Sequence, residues 1–243
     1  GWTLSLPSIS RKTDKGLPRY RDADDGDTFL ISGAEDLVPA LQRVGNLWVE
    51  DPREVVEGPS IYVVRRYRPR LEGLFARIER WTDRGSGDVH WRSIGKDNVT
   101  SLYGRSTDAR LADPVDPRRV FQWFLQEMRD DKGNIIRFDY KRENGQGVPG
   151  AVWEKNRLDP AKFAQRYLKR VTYANQLPHQ AADWHFELVF DYGDHDDQNP
   201  TPQEDRPWSV RRDSFSVFRS GFEVRTHRLC RRILMFHRFP ELG

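Results

Sequence analysis

Near the N-terminus lie two short apolar segments, Leu6-Pro-Ser-Ile-Ser-Arg-Lys-Thr-Asp-Lys-Gly-Leu-Pro-Arg-Tyr20 and Phe29-Leu-Ile-Ser-Gly-Ala-Glu-Asp-Leu-Val-Pro39. Each apolar run is bounded by Pro, Gly and Asp, residues that favour tight turns. Short runs between turn residues predict strands, and the second segment predicts a strand, a glycine turn and another strand. Neither segment contains a catalytic triad, a phosphate-binding loop or a metal-ligand spacing.

The composition indicates a folded chain with broad polar faces. Of the 243 residues, 37% are hydrophobic and 32% are charged, yet 12% are aromatic. Disordered chains are poor in aromatic residues, so this profile is typical of sheets whose two faces differ in polarity. The 40 basic and 37 acidic residues give a formal net charge of +3, which is not a nucleic-acid footprint. Arginine predominates over lysine, and its guanidinium suits pairing with carboxylates across strands.

Strand signals recur at short intervals and predict a mainly β fold of antiparallel meander sheets. The predicted strands lie at Thr3–Ile9, Thr28–Ile31, Asn46–Val49, Ile61–Arg66, Leu74–Trp81, Val89–Ile94, Asn98–Tyr103, Asn134–Tyr140, Arg166–Tyr173, Phe186–Tyr192 and Gly221–Phe239. The last segment is long enough for one strand or two. No linker of ordinary composition divides the chain, so residues 1–243 are predicted to form one structural unit.

One segment, Asp116 to Asp131, has the pattern of an amphipathic helix. Asp116-Pro117 supplies an N-cap and a proline at the first helical position, and Gly133 is suited to a left-handed cap. The apolar residues that recur at helical spacing are Val120, Phe121, Phe124, Leu125 and Met128. We therefore predict one main helix over residues 116–131, and a second, short helix from Asp159-Pro160 to Gln165.

Acidic loops are the candidates for a metal site. The segment Asp191-Tyr-Gly-Asp194-His195-Asp196-Asp197 offers four carboxylates and one imidazole to a divalent ion. The alternative is a solvated turn, which is the usual role of such loops. We predict the turn, and hence neither a metal site nor a cofactor.

No motif predicts catalysis. The six histidines have no H-E-x-x-H spacing, and there is no G-x-S-x-G elbow. The single cysteine, Cys230, excludes an internal disulfide and is predicted to be a small buried thiol. His227 precedes it by three residues and would face the other side of a strand. The chain is therefore predicted to be non-enzymatic.

A binding module is the alternative reading of the aromatic residues. A site for carbohydrate or a host surface would use exposed tryptophans such as Trp48, Trp81, Trp91 and Trp153. Basic clusters at residues 65–70 and 228–232 interleave with aromatic residues, as in a single-strand groove. Acidic residues lie close to most of these clusters, so no nucleic-acid partner is predicted. No stretch is long and apolar enough to span a membrane, and no signal peptide is visible.

The opening segments and three later ones resemble the N-terminal region of bacterial virulence-plasmid B proteins (SpvB) and of the B components of insecticidal toxin complexes. The later segments are Lys96-Asp-Asn-Val-Thr-Ser-Leu-Tyr-Gly104, Arg166-Tyr-Leu-Lys-Arg-Val-Thr-Tyr-Ala-Asn175 and Phe218-Arg-Ser-Gly-Phe-Glu-Val-Arg-Thr-His-Arg-Leu-Cys-Arg-Arg-Ile-Leu-Met-Phe-His237. The resemblance covers most of the chain. It implies a segment of a larger, secreted toxin protein with the strand-turn character of tyrosine-aspartate (Rhs-type) shells.

The resemblance also implies a role and partners. It implies a scaffold in a β-sheet shell that encloses a toxic polypeptide, built with the remainder of the B chain, including its propeller, and with a toxin C component. A pore-forming A component is an indirect partner. ADP-ribosyltransfer in this family belongs to a separate C-terminal domain, and this chain lacks the Glu-x-Glu turn of that chemistry.

Overall fold

The computed structural model describes residues 4–239 except 25, 34, 72–74, 153, 158, 160 and 161, and it leaves out the side chains at positions 23 and 156. Within this part of the chain there are eighteen strands and three short 3-10 turns, at Asp22–Asp24, Thr107–Ala109 and Lys155–Arg157. Every strand pairing is antiparallel, which confirms the predicted fold class. None of the helical segments among these residues has the length and apolar character that crossing a membrane requires.

Eight strands close into a barrel. In ring order they are β1 (Ser8–Arg11), β2 (Phe29–Ile31), β3 (Glu35–Pro39), β7 (Ser60–Pro69), β8 (Arg77–Asp83), β9 (Val89–Ile94), β10 (Thr100–Tyr103) and β12 (Val120–Arg129). The ring closes where β12 pairs with β1, with Ser8 opposite Phe124 and Ser10 opposite Gln122. Closure satisfies the backbone groups that an open sheet leaves at its edges.

Four short strands flank the ring: β4 (Leu41–Val44), β5 (Leu47–Glu50), β6 (Arg53–Glu57) and β11 (Arg110–Ala112). β4 and β5 form a separate two-stranded hairpin, and β6 pairs with the first half of β7. β11 lies beside the first half of β12, and β10 lies beside the second half on the same edge.

The chain continues from β12 into a second sheet in the order β12-β13-β14-β15-β18. Its further strands are β13 (Ile135–Arg142), β14 (Arg166–Asn175), β15 (Trp184–Asp191) and β18 (Arg232–His237). A last hairpin, β16 (Phe215–Val217) and β17 (Val224–Thr226), lies near β12. There Val224 forms a small core with Leu111, Phe121 and Ala164.

The inside of the ring is filled by aromatic side chains. The Phe29 ring centroid lies 4.9 Å from that of Trp91 and 5.9 Å from that of Trp123, and all three contacts among these rings are edge-to-face. Such pairs contribute about 0.5–1.5 kcal/mol beyond the area that they bury. Ile9 of β1 belongs to the same core. The apolar runs of the opening segments therefore form one wall of the barrel.

The predicted strand, glycine turn and strand over residues 29–39 is confirmed. β2 and β3 are antiparallel neighbours, with Phe29 opposite Leu37. Gly33 adopts φ +73° in the connection, a conformation that favours glycine. The predicted hairpin between residues 89 and 103 is also observed, as β9 and β10.

The predicted helix over residues 116–131 is wrong, because residues 120–129 form β12. Asp116 begins a turn instead of a helix: its carbonyl accepts from the Arg119 amide at 2.9 Å. A register shift opposite Leu111 and Ala112 marks a bulge near Phe121. Phe121 then joins the small core beside the hairpin, while Val120 belongs to the main core. The helix was predicted because a strand with apolar residues on both faces also has apolar residues at the three- and four-residue spacing of a helix. The second predicted helix, from Asp159-Pro160, falls largely outside the described residues.

β12 changes partner midway along one edge, from β1 to β13. On the other edge of β12, the Phe124 carbonyl accepts a hydrogen bond from the Gly104 amide. Successive carbonyls of a strand point to opposite edges, so the Leu125 carbonyl points into the gap between β1 and β13, which we call the fork. The register places Pro7 opposite Leu125, and proline has no amide to donate. Instead, the Tyr140 hydroxyl donates to the Leu125 carbonyl at 2.7 Å, and the Tyr140 ring stacks on Phe124 at 5.0 Å. One tyrosine therefore satisfies the backbone where the two sheets separate.

Replacing Tyr140 with Phe should lower the free energy of unfolding by about 1 kcal/mol, because it removes one hydrogen bond and leaves the Leu125 carbonyl without its partner. Urea denaturation followed by tryptophan fluorescence measures the loss. Tyr173→Phe is the matched control, since Tyr173 stacks on Phe186 in the same sheet and keeps that contact. Equal losses in the two variants would contradict the role of Tyr140 in the fork.

Candidate functional site

The predicted acidic loop begins at the end of β15. Asp191 is buried, and its carboxylate accepts from the amides of Gly193 at 2.7 Å and Asp194 at 3.0 Å. Arg232 of β18 donates to the other oxygen at 2.5 Å. Burial alone would raise the pKa of Asp191, but Arg232 and the two amides outweigh burial and hold that pKa below its ordinary value. Asp191 is therefore in its carboxylate form, and its ion pair with Arg232 links β15 to β18.

Asp194 and His195 converge on a buried lysine. Both side chains are fully buried, and Lys169 Nζ lies 2.9 Å from Asp194 Oδ2 and 2.9 Å from His195 Nε2. An ammonium group only donates. His195 Nε2 therefore accepts, and Nδ1 donates its proton to the Thr201 carbonyl at 3.0 Å. Lys141 Nζ adds a second cation 3.4 Å from Asp194 Oδ2.

The remaining two carboxylates of the loop face arginine. Asp196 lies 2.7 Å from Arg206 and accepts from the amides of Gln198 and Asn199, both at 2.8 Å. Asp197 lies 3.7 Å from Arg206. The loop thus brings Asp194 and His195 together on Lys169, and Asp196 and Asp197 together on Arg206. Among the residues that the structure describes, no group of three His, Cys, Asp or Glu is arranged to hold a metal ion.

A buried ion pair that sequence reasoning did not single out lies beside this loop. The side chains of Arg228 and Glu143 are 0% exposed. Arg228 Nη2 donates to Glu143 Oε1 at 2.6 Å and Nε donates to Oε2 at 3.0 Å. The Arg228 guanidinium also stacks 4.3 Å above the Trp208 ring, and the Tyr167 hydroxyl donates to Glu143 at 3.1 Å. Arg228, the first residue of the basic run at residues 228–232, is therefore used inside the protein.

A second buried arginine lies at one end of the barrel. Arg11 Nη1 donates to Asp22 at 2.6 Å and to Asp27 at 2.8 Å, and its Nε donates to the Val120 carbonyl at 2.7 Å. Arg80 of β8 reaches the same Asp22 at 2.8 Å. Two carboxylates of this N-terminal loop, those of Asp22 and Asp27, are thus held by arginines.

The tryptophans proposed for a binding module do not form one surface. Trp81 and Trp91 are 3% and 0% exposed, whereas Trp48 is 65% exposed on the β4–β5 hairpin. Trp153 lies outside the described residues. A carbohydrate platform built from these residues is therefore not supported.

Cys230 is a half-buried thiol whose sulfur lies 3.4 Å from the Arg232 carbonyl. Burial, followed by the charge of Asp191, raises the pKa of this thiol to about 11. A nucleophilic cysteine needs the opposite shift. His227 instead contacts Ser214 Oγ at 3.3 Å. The geometry is that of a packing residue.

An aromatic and charged layer covers the outer face of β8 and β9. His90 stacks on Trp81 with the ring centroids 5.7 Å apart, and Arg92 lies 3.9 Å above the Trp81 ring. The Trp81 indole donates to Glu79 at 3.1 Å. His90 is 4% exposed and its Nε2 is without a hydrogen-bond partner in the described part of the chain. Burial, aided by the charge of Arg92, lowers the pKa of His90 to about 4.

Comparison with known proteins identifies similar sequences over the full length. The family described as Salmonella virulence plasmid 65kDa B protein (SpvB) matches residues 1–239. The mono(ADP-ribosyl)transferase SpvB of Salmonella typhimurium (strain 14028s / SGSC 2262) is 36% identical over 264 aligned residues, which cover 100% of this chain. The chain spans 43% of the length of that relative.

Solved structures with the same fold extend the comparison to toxin complexes. The N-terminal domain of effector protein SpvB from Salmonella typhimurium strain LT2 matches with a TM-score of 0.86 and 34% identity, covering 100% of this chain and 78% of that one. A crystal structure of TcdB2-TccC3 matches with a TM-score of 0.86 and 33% identity, covering 100% of this chain and 12% of that one.

Replacing Arg228 with Met should lower the free energy of unfolding by about 3–5 kcal/mol, because the buried Glu143 carboxylate loses its cation. Urea denaturation measures this. Arg137→Met is the matched control, since Arg137 pairs with Asp139 at 3.0 Å at an exposed position, where ion pairs contribute little. Adding Glu143→Leu to Arg228→Met should recover part of the loss. A small loss for Arg228→Met, similar to the control, would contradict this assignment.

Stability should fall on acidification between about pH 6.5 and pH 4 because of His90. Its pKa in the folded chain is about 4, whereas an unfolded histidine titrates near about 6.5. In this window the unfolded chain binds a proton that the folded chain does not. The contribution of neutral His90 to the free energy of unfolding is complete above the pKa of the unfolded chain. It declines by up to about 1.4 kcal/mol per pH unit below that pKa.

Urea midpoints across this pH range measure the effect. The variant His90→Gln should flatten the slope, and His237→Gln, at an exposed position on β18, should keep it. An unchanged slope in His90→Gln would contradict the assignment to His90.

Proposed function

The chain belongs to the SpvB family, and we propose that it is a non-enzymatic scaffold segment of a toxin-complex B or SpvB-like virulence protein. In this role it contributes to the β-sheet shell that encloses or delivers a toxic polypeptide. The observation that carries the proposal is that buried carboxylates, the groups that could serve as general acids or bases, are paired inside the protein. Asp191, Asp194 and Glu143 are each buried and are held by Arg232, Lys169 and Arg228.

Carboxylates held in this way are better suited to holding the fold together than to catalysis. A general acid or base must reach a substrate proton and change its protonation state during the reaction. A carboxylate that is buried between a lysine or arginine and backbone amides has neither access nor freedom to do so. The transferase activity named for the Salmonella typhimurium relative is therefore proposed to reside outside the part that this chain matches, which is 43% of that protein.

The match to TcdB2-TccC3 supports the choice of partners. We propose the remainder of a B-component chain and a toxin C component as direct partners, and a pore-forming A component as an indirect one. We also propose a secreted or translocated location for the assembled protein, since the family is one of virulence proteins. That residues 1–243 form a single structural unit stays a prediction.

The test is a chimera in which this chain replaces the matching segment of TcdB2. Mixed with TccC3, the chimera should form a complex on size-exclusion chromatography and should protect the enclosed polypeptide from protease. Introducing Arg228→Met should abolish protection, because it destabilises the scaffold, while Arg137→Met should leave protection intact. Full assembly and protection by TcdB2 that lacks this segment would overturn the scaffold role, and consumption of NAD by the isolated chain would overturn its non-enzymatic character.

A further inference from the structure

Three adjoining clefts follow the outer side of β12, and all three are lined by Gln122 and Arg219. Their volumes are about 450, 290 and 570 Å³. The first reaches the β16–β17 hairpin, and the other two are bordered by residues 5–8, just before and within β1. Because they share lining residues, the clefts form one elongated depression, which we call the β12 groove.

The β12 groove has apolar walls that stay exposed. Phe215 and Val217 of the hairpin are 46% and 38% exposed, and Leu4 at the other end is 50% exposed. Phe124 contributes to two of the three clefts. Aromatic and aliphatic side chains in a concave surface are the usual lining of a binding site.

Two arginines in the β12 groove, Arg166 and Arg219, make no salt bridge with a carboxylate among the described residues. Arg166 donates to the carbonyls of Ala164 and Gln165, and its Nε is buried without a partner. Burial, followed by the charge of Arg142, lowers the pKa of Arg166 to about 10. The charge of Asp108 opposes this lowering only in part, so a further carboxylate near Arg166 would relieve the unfavourable field of Arg142. Arg219 lies 5.6 Å above the Phe121 ring.

Arg166 is partly buried and Arg219 is exposed, whereas the fully buried arginines of the described residues are matched with acids. Arg11, Arg80 and Arg228 each meet a carboxylate within 3.0 Å. An unmatched positive charge beside an exposed apolar surface has the complementarity of an acidic, apolar ligand.

We propose that the β12 groove binds an extended segment of another polypeptide in which acidic side chains alternate with apolar ones. Alternation fits an extended chain, since successive side chains point to opposite faces. The carboxylates would pair with Arg166 and Arg219, while the apolar side chains would cover Phe124 and the hairpin. The inference concerns an interaction surface and does not rest on the scaffold role proposed above.

The probe is a fluorescein-labelled peptide of sequence Ser-Glu-Val-Glu-Val-Glu-Ser, titrated with the complete chain and followed by fluorescence anisotropy. Binding should weaken as salt is raised, because the charged contacts are partly exposed. Arg166→Gln and Arg219→Gln should each weaken binding by about tenfold, which is the usual effect of losing one charge-assisted hydrogen bond. A peptide with Lys in place of Glu should not bind.

Arg68→Gln is the matched control. Arg68 is exposed on β7, which lies four strands from β12 around the ring in either direction, so its loss should leave binding unchanged. Thermal melts of all variants distinguish a lost contact from a lost fold. The proposal is overturned if the Glu peptide does not bind, if Arg68→Gln weakens it as much as the groove variants, or if sedimentation shows that a second copy of the chain occupies the β12 groove.

Discussion

The fold depends on β12 belonging to two sheets at once. Its first half closes the barrel against β1, and its second half begins the sheet that continues through β13 to β18. Because the strand is continuous, the two sheets are joined by backbone hydrogen bonds and not by a flexible linker. The bulge near Phe121 lets this strand supply side chains to two cores. Tyr140 then satisfies the carbonyl left at the point of separation.

Buried ion pairs explain how a chain with so many charged residues forms a folded structure. Arg228 with Glu143 and Arg80 with Asp22 connect segments that are 85 and 58 residues apart in the chain. Such pairs add little net stability compared with apolar packing, but breaking one leaves an unpaired charge inside the protein. They therefore favour a single arrangement of the loops.

Much of the strand content could be predicted from the sequence, because alternation and turn residues are local signals. The segment Val89–Ile94 is observed with the predicted bounds. The helix over residues 116–131 could not be excluded locally, since both faces of β12 are buried by residues distant in the chain. Phe29 and Trp91 cover the face inside the barrel, and Val224 covers the other. The Arg228–Glu143 pair could not be predicted from the sequence either, because its members are 85 residues apart. The acidic loop could be located, but its lysine and arginine partners come from other strands.

Closure of the barrel has a consequence for the order in which the chain folds. Arg11 in β1 reaches the carbonyl of Val120, which lies 109 residues later. While the chain emerges from the ribosome, β1 has no partner on that side until β12 has been made. A strand that waits with an open edge is a template for pairing with other chains, and distant pairings form slowly. The barrel can therefore close, and its open edges be paired, only after half of this sequence has been synthesised. A chaperone is of most use in the interval before β12 has been made.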